Sequence, residues 1–269
     1  MNKSGGIFIT GTDTGVGKTI ISVALLYAFK ESGLDCVYMK PVQTGCFRKS
    51  GKLIAPDLEF VLSTSEQCPT EKEKKIMAPY LFQPACSPHL AAGLERHPII
   101  PAKIINSFKA LKKLHDFVIV EGAGGVLTPF SWQYSMLDLM KALSLPVILI
   151  ARPGLGTINH TLLALRELRR AKLEIIGIVL NYSTKAKKGI IETSNKTAIE
   201  RLDGTRVICE FPFVDNLSHA ARQLFQKNAL EKLAKTSVIS DLIRNQGKSS
   251  DDELDFRQRG NDTMGRRYH

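Results

Sequence analysis

The chain has 269 residues, of which 43% are apolar, and a formal net charge of +11 at pH 7. This length fits one α/β domain with its own core, and no uncharged apolar run approaches the roughly 18 residues that a membrane-spanning helix requires, so we expect no membrane partner. Because the lysines and arginines are spread along the chain, anionic small molecules explain the charge as well as nucleic acid would, and we expect no nucleic-acid partner.

The first predicted element is a strand that runs into a glycine-rich loop and then a helix. Residues 7–10 are apolar and β-rich, and a helical pattern covers residues 19–32. Gly11, Gly15 and Gly17 allow a tight turn in which backbone N–H groups and the helix N-terminus converge on a polyphosphate. Lys18 then supplies a positive charge to the β and γ phosphates, and the Thr19 hydroxyl can bind magnesium. The first glycine stands one residue earlier than usual, so an incidental glycine-rich turn is the alternative, but the flanking strand and helix favour nucleotide binding.

A lysine follows the second predicted strand, residues 36–39. The carboxyl ends of the strands form the ligand edge of such a sheet, so Lys40 is a candidate for holding an anionic reacting group. Pro41 and Gly45 bend the chain so that Thr44 can reach the same place. A surface lysine at a strand end is the alternative, and this motif alone does not decide between the two.

A carboxylate and a glycine loop follow the apolar run at residues 117–120. A buried Glu121 is costly unless a cation compensates it, and magnesium would do so. The less regular segment at residues 45–83 holds a charged tract at residues 71–75, which we interpret as a solvated loop or helix face. Asp57 in that segment is either a second carboxylate of the metal site or a cap for the helical residues that follow it.

The remaining pattern alternates strands with helices. Strands are predicted over residues 147–151, 175–180 and 205–210, and helices over residues 101–114, 157–171, 187–202 and 217–234. The alternation predicts an α/β fold with a mostly parallel sheet flanked by helices. The turn at residues 154–156 either binds a carboxylate through free backbone donors or is an ordinary loop with Thr157 as the helix cap.

The two ends of the chain and the cysteines bear on organisation and compartment. Residues 1–6 lack the apolar region of a signal peptide, and the five scattered cysteines lack Cys-x-x-Cys spacing, which predicts a cytoplasmic protein with reduced thiols. Residues 247–269 are polar with few apolar anchors. We therefore predict one domain over residues 1–235 and a polar carboxyl-terminal extension, largely disordered, over residues 236–269.

Taken in register, these segments resemble the dethiobiotin synthetase family, ATP-dependent enzymes of biotin biosynthesis. The resemblance is carried by residues 11–19, 40–42, 121–125, 145–149, 156–160, Asn181 and residues 210–212. It implies a P-loop NTPase-like fold and a homodimer with active sites at the subunit interface. It also implies a ligase reaction, in which 7,8-diaminopelargonate takes up CO2 as a carbamate, the carbamate attacks the γ-phosphate of ATP, and the second amine closes a cyclic urea.

The resemblance further implies roles for individual residues. Lys40 becomes the catalytic residue, and Thr19, Asp57 and Glu121 become the magnesium ligands. The residues implied to bind ATP are Gly15, Val16, Gly17, Lys18, Thr19, Ile20, Asp57, Glu121, Gly122, Ala123, Gly124, Asn181, Pro212, Phe213 and Val214. The residues implied to bind the substrate are Thr14, Thr44, Gly156, Thr157, Ile158 and Asn159, the last four through the substrate carboxylate across the dimer interface. Gly15 and Gly154 depart from relatives that carry an acidic residue and a lysine there.

Three other classes of nucleotide-binding protein are alternatives. Partition-type ATPases, which act as nucleotide switches, carry a lysine at the position of Asp13, which argues against that class. A synthetase fused to a glutamine amidotransferase needs a second domain, for which the chain after residue 233 is too short. A non-enzymatic nucleotide-binding module would not need Lys40 or Glu121.

Overall fold

This computed structural model describes residues 5–183 and 189–213. In chain order its strands are β1 (Gly6–Gly11), β2 (Cys36–Met39), β3 (Val42–Gln43), β4 (Phe47–Lys49), β5 (Lys52–Ile54), β6 (Tyr80–Leu81), β7 (Phe117–Glu121), β8 (Val147–Ala151), β9 (Ile175–Asn181) and β10 (Val207–Phe211). Its helices are α1 (Lys18–Glu31), α2 (Pro56–Ser65), α3 (Glu71–Met77), α4 (Pro88–Leu94), α5 (Pro101–Leu114), α6 (Met136–Leu143), α7 (Thr157–Arg170) and α8 (Ile190–Asp203).

Six of the strands form one parallel sheet in the order β10-β9-β8-β1-β7-β2. Every residue of β1, β2, β7 and β8 is buried, as expected for a parallel sheet that is covered on both faces. The predicted α/β fold with a parallel sheet flanked by helices is therefore confirmed.

The strand order places β1 at a switch point, with β7 on one side and β8 on the other. The loops after these three strands therefore meet at the carboxyl edge of the sheet, where ligands bind in open α/β folds. Thr12 N donates to Ile150 O at 2.9 Å, which ties the loop after β1 to the end of β8.

Local sequence explains the helix boundaries. Proline occupies the first turn of α2, α4 and α5, where its missing N–H costs nothing. In α5 the buried side chains of Ile104, Phe108 and Leu111 recur at helical spacing and face the core. Ser135 caps α6 in a capping box with Asp138.

The segment at residues 45–83 has more regular structure than its sequence suggested. It contains the antiparallel pair β4–β5, the helices α2 and α3, and β6, which pairs with β3. The charged tract at residues 71–75 belongs to α3, whose N-cap Thr70 accepts a hydrogen bond from Glu73 N.

Some sequence-based expectations fall outside the described residues. These are the helix over residues 217–234 and the extension over residues 236–269, and the domain boundary stays a prediction. Among the described residues, no helix combines the length and apolarity needed to cross a bilayer. Cys36, Cys46, Cys68 and Cys86 are free thiols, and Cys36, Cys46 and Cys209 are buried.

Candidate active site

The phosphate loop between β1 and α1 is held by its glycines and by a distant asparagine. Gly17, the N-cap of α1, has a φ of 96° in the left-handed region that favours glycine. A Cβ there would collide with the side-chain amide of Asn181, the last residue of β9, which donates from Nδ2 to Val16 O at 3.0 Å. Asn181 is 4% exposed, so its amide fixes the loop from the buried side.

Lys18 lies at the start of α1 and points back along the loop. It is 6% exposed, and its Nζ donates to the carbonyl oxygen of Asp13 at 2.9 Å. Burial, with the nearby charge of Lys40, lowers its pKa from 10.5 to about 8. An anionic ligand beside Lys18 would raise this pKa again, because it stabilises the charged ammonium that burial disfavours.

Asp13 makes a second connection across the loop. Its Oδ2 lies 3.0 Å from Arg152 Nη2, on the segment that follows β8. The position that carries a lysine in partition-type ATPases therefore holds an acidic side chain in an ion pair.

Glu121 ends β7 at the centre of the site and is 1% exposed. Its Oε2 accepts hydrogen bonds from Ser22 Oγ and Tyr38 OH, both at 2.9 Å. Its Oε1 accepts one from Thr19 Oγ1 at 2.9 Å and one from Lys40 Nζ at 2.6 Å. Burial raises the pKa of Tyr38 well above its usual value, and Glu121 raises it further, so the phenol remains a donor.

Lys40 lies directly after β2 and is 4% exposed, so it is not the surface lysine of the alternative interpretation. Its Nζ lies 2.6 Å from Glu121 Oε1 and 2.8 Å from Asp57 Oδ2. Burial alone would lower the pKa of Lys40, but the two carboxylates outweigh it and raise the pKa. Its backbone N donates to Met77 O at 2.7 Å, so the main chain at this point is fixed by the end of α3.

Asp57 is the second residue of α2, and the N-cap of that helix is Ala55. The interpretation of Asp57 as the helix cap is therefore wrong. The α2 helix instead directs this carboxylate toward Lys40, while leaving it about one-third exposed.

These groups open onto one cavity of about 830 Å³ at the carboxyl edge of the sheet. The sequence-predicted residues that line it are Thr14, Gly15, Gly17, Lys18, Thr19, Ile20, Lys40, Thr44, Asp57, Glu121, Ala123 and Gly124. The opposite wall is formed by Ala85, Cys86, Ser87 and Pro88, at the start of α4, and by Thr128 and Pro129. The structure therefore brings the phosphate loop, the end of β2 and the end of β7 together.

The donor set in the cavity fits magnesium. Thr19, Asp57 and Glu121 present hydroxyl and carboxylate oxygens, which are the ligands that magnesium prefers. Among the described residues there is no cluster of three or more His, Cys, Asp or Glu placed to hold a metal ion. A magnesium ion here would therefore take its remaining ligands from water or from the phosphates of a nucleotide, as is usual for this ion. The ammonium of Lys40 already shows that a cation is accommodated between the two carboxylates.

Comparisons with known proteins identify the family of this chain. A family model described as "AAA domain" matches residues 5–221. Proteins named ATP-dependent dethiobiotin synthetase are similar to this chain over most of its length. That of Anaeromyxobacter sp. (strain K) is 40% identical over 81% of this chain and 95% of its own, and that of Anoxybacillus flavithermus is 38% identical over 80% and 94%. That of Thermodesulfovibrio yellowstonii is 36% identical over 79% of this chain and 90% of its own.

The chain belongs to the ATP-dependent dethiobiotin synthetase family. Solved structures add support for the fold alone. The MinC:MinD cell division protein complex of Aquifex aeolicus matches with a TM-score of 0.52 at 12% identity, over 91% of this chain and 95% of that chain. The septum site-determining protein MinD complexed with Mg-ADP from Pyrococcus horikoshii matches with a TM-score of 0.50 at 16% identity, over 91% and 96%.

Some of the residues implied by likeness to the dethiobiotin synthetases lie away from the cavity. Gly156, not Thr157, is the N-cap of α7, with a φ of 86°. Within the described chain, Gly156, Thr157, Ile158 and Asn159 lie outside the cavity lining. Pro212 and Phe213 follow β10 and are half-buried, and Val214 lies outside the described residues.

Sequence reasoning missed two residues that position the carboxylate, Ser22 and Tyr38. The signal was present in their spacing. Ser22 lies three residues after Thr19 and so shares its face of α1, and Tyr38 lies two residues before Lys40 on the same side of an extended chain. Each is a polar residue within an apolar run, and each reaches Glu121.

Proposed function

We propose that this chain is an ATP-dependent dethiobiotin synthetase, which carboxylates 7,8-diaminopelargonate with CO2 and closes the ring to dethiobiotin in the cytoplasm. The observation that carries the proposal is the pair of buried lysines that line one cavity with Thr19, Asp57 and Glu121. A simple nucleotide-binding module has no use for a second buried lysine held by two carboxylates. Family membership supplies the identity of the reaction.

The phosphate loop binds the nucleotide in this proposal. Backbone N–H groups of the loop and the N-terminus of α1 face the triphosphate, and Lys18 neutralises charge on the β and γ phosphates. Thr19, Asp57 and Glu121 would hold magnesium, which neutralises negative charge on the triphosphate. Asn181 keeps the loop in shape through its bond to Val16 O.

Lys40 acts on the substrate side of the same cavity. The carbamate oxygen attacks the γ-phosphorus while ADP leaves. The second amine then attacks the carbamoyl carbon, phosphate leaves, and the amine loses a proton. Both displacements gather negative charge on oxygen, and a positioned ammonium donor for such charge is typically worth about 10²–10³ in rate. Thr44, which lines the cavity after β3, offers a hydroxyl to the same substrate.

We also propose that the active enzyme is a homodimer. Residues 156–159 begin α7 outside the cavity of their own subunit, which is the arrangement that a substrate-carboxylate site shared between two subunits requires. A direct test mixes two inactive variants, Lys18→Ala and Asn159→Ala, under conditions that exchange subunits. If sites are shared, hybrid dimers contain one intact site and activity returns. If activity stays absent in demonstrated hybrids, residues 156–159 do not serve the partner's cavity.

The test of the function is product formation. The purified chain is incubated with ATP, magnesium, bicarbonate and 7,8-diaminopelargonate, and dethiobiotin is measured by mass spectrometry beside released phosphate. Controls omit one component at a time. We expect phosphate release that depends on the diamine and matches dethiobiotin in amount. Phosphate release that is indifferent to the diamine would instead indicate a nucleotide-switch ATPase.

A further inference from the structure

The two oxygens of Glu121 serve different groups. Ser22 and Tyr38 hold Oε2, and the Ser22 hydrogen is shared with the carbonyl oxygen of Lys18 at 3.0 Å. Oε1 instead faces the cavity side and accepts from Thr19 and Lys40. Because Oε2 alone keeps two donors, the carboxylate would stay in place if Lys40 left Oε1.

The backbone of Lys40 is fixed, but its side chain can change rotamer and point its ammonium elsewhere. The backbone N–H of Lys40 donates a hydrogen bond to Met77 O, and the next residue is Pro41. The four-carbon stem carries a point charge whose direction is set by rotamers alone. The ammonium can therefore change partners without any movement of β2.

Lys40 Nζ lies between the same oxygens that would hold magnesium. It is within 2.8 Å of a carboxylate oxygen from both Asp57 and Glu121, and Glu121 Oε1 also accepts from Thr19, the third member of that set. A divalent ion and an ammonium cannot both use the same oxygens at such distances, since like charges in a buried site repel strongly.

We propose that Lys40 is an exchangeable cation. In the absence of metal its ammonium neutralises Asp57 and Glu121, and a divalent cation displaces it from these carboxylates into the open cavity, where the anionic substrate and the γ-phosphate bind. Metal binding thereby releases the catalytic lysine. The inference rests on the proposed function only in placing magnesium at this donor set, and it requires no turnover.

The exchange predicts that Lys40 competes with metal in the nucleotide-free protein. We expect Lys40→Met, which keeps the length of the side chain and removes its charge, to bind Mn²⁺ at least about tenfold more tightly than the wild type. Lys18→Met is the matched control, because it removes an equally buried ammonium that donates to a carbonyl oxygen instead. Its Mn²⁺ affinity should rise much less. Mn²⁺ alone is titrated in each case, by calorimetry and by electron paramagnetic resonance of the free ion.

A second measurement uses the wild-type protein and does not depend on the folding of a variant. The protein is pulsed with trace acetic anhydride, with and without Mg²⁺ alone, and acetylation of each lysine is quantified by mass spectrometry. Exposed Lys109 on α5 serves as the reference. We expect acetylation of Lys40 to rise several-fold with Mg²⁺ while that of Lys109 stays constant.

The outcomes separate clearly. Tighter Mn²⁺ binding in Lys40→Met than in Lys18→Met, with acetylation of Lys40 that rises with Mg²⁺, supports the exchange. Equal gains in the two variants, or acetylation of Lys40 that is unchanged at saturating Mg²⁺, overturn it. Neither readout involves diaminopelargonate, so a failure of the exchange is distinct from an absence of dethiobiotin in the product assay.

Discussion

The loop after β1 and the end of β2 each present one buried lysine to the same cavity, in surroundings of opposite character. Lys18 donates to a neutral carbonyl oxygen, and burial lowers its pKa to about 8. For Lys40, two carboxylates outweigh burial and raise the pKa. The first lysine gains its counter-charge when a ligand arrives, whereas the second already has it. Equal burial of the same residue type therefore serves ligand binding in one place and a prepared charge balance in another.

The largest expected effect is that of Lys18→Ala. Within the described residues no carboxylate forms an ion pair with Lys18, whose ammonium donates to the carbonyl oxygen of Asp13. Its loss should therefore fall on the nucleotide, and we expect kcat/KM to drop by at least about 10³. ATP affinity by calorimetry should fall with it, while the melting temperature stays close to that of the wild type. An unchanged ATP affinity would show that the loop does not hold the phosphates through Lys18.

The second prediction concerns Lys40→Ala, which should separate binding from chemistry. Because the loop and Lys18 are intact, ATP should still bind, and ring closure should fall by at least about a hundredfold. The melting temperature without metal should also fall, since the buried Glu121 and the partly exposed Asp57 lose their cationic partner. ATP binding and dethiobiotin formation are measured on one preparation. Product at the wild-type rate would remove Lys40 from the mechanism.

A smaller effect is expected for Tyr38→Phe, which removes one of the two donors to Glu121 Oε2. The ring packing is kept, and the loss of a buried hydrogen bond to a charged group should cost about 1.5–3 kcal/mol in the free energy of unfolding. The matched control is Tyr182→Phe, whose hydroxyl contacts Glu210 near the surface at 3.3 Å. Denaturant unfolding measures both, and an equal cost for both would mean that Glu121 is held mainly by Ser22 and Thr19.

Because the pKa of Lys18 is lowered to about 8, the affinity for ATP should depend on pH through this lysine. Below about pH 8 Lys18 is already protonated in the free protein. Above that pH Lys18 must take up a proton from solution when ATP binds, because the phosphates raise the pKa of the lysine in the complex. ATP affinity should therefore fall above that pH by up to about tenfold per unit until the pKa of the complex is reached. Calorimetry in buffers of different ionisation enthalpy, at about pH 7 and about pH 9, counts the proton taken up. Lys18→Arg, which stays charged, should bind ATP at both values without that proton.

The smallest effect is expected far from both lysines. We propose that residues 247–269 form the end of a polar extension that contributes little to the domain, since they offer few apolar anchors. Deleting them should leave dethiobiotin formation and the melting temperature nearly unchanged. A large loss of either would mean that the extension packs on the domain.

Sequence patterns predicted the sheet better than its surroundings. Residues 36–39 and 147–151 were predicted as strands and are β2 and β8 without change, because strands buried on both faces are continuous apolar runs. The short helices α4 and α6 were not predicted, since seven or eight residues hold too few turns for a periodic pattern. The β4–β5 pair was not predicted either, since its strands have three residues each and β4 is fully exposed.

In the site too, one part could be predicted from the sequence and the rest could not. The phosphate loop could be predicted because its chemistry lies within one continuous motif, residues 11–19. The role of Asp57 could not be decided, because its contact with Lys40 exists only once α2 packs beside β2. The wall at residues 85–88 carries no charged group to mark it, and only the fold brings it to the cavity.

The central place of β1 has a consequence for biosynthesis. Gly6 pairs with Val118 of β7, and Phe8 with Val147 of β8, so both neighbours of this apolar strand leave the ribosome only after the segment from α1 to α5. Until then β1 has two open edges, which are sites for aggregation and for chaperones. The loop that follows β1 is held by residues that are made later still, Ile150 of β8 and Asn181 of β9. Nucleotide can therefore assist the nascent chain only after β9 has been made, and the amino-terminal half must reach that point without it.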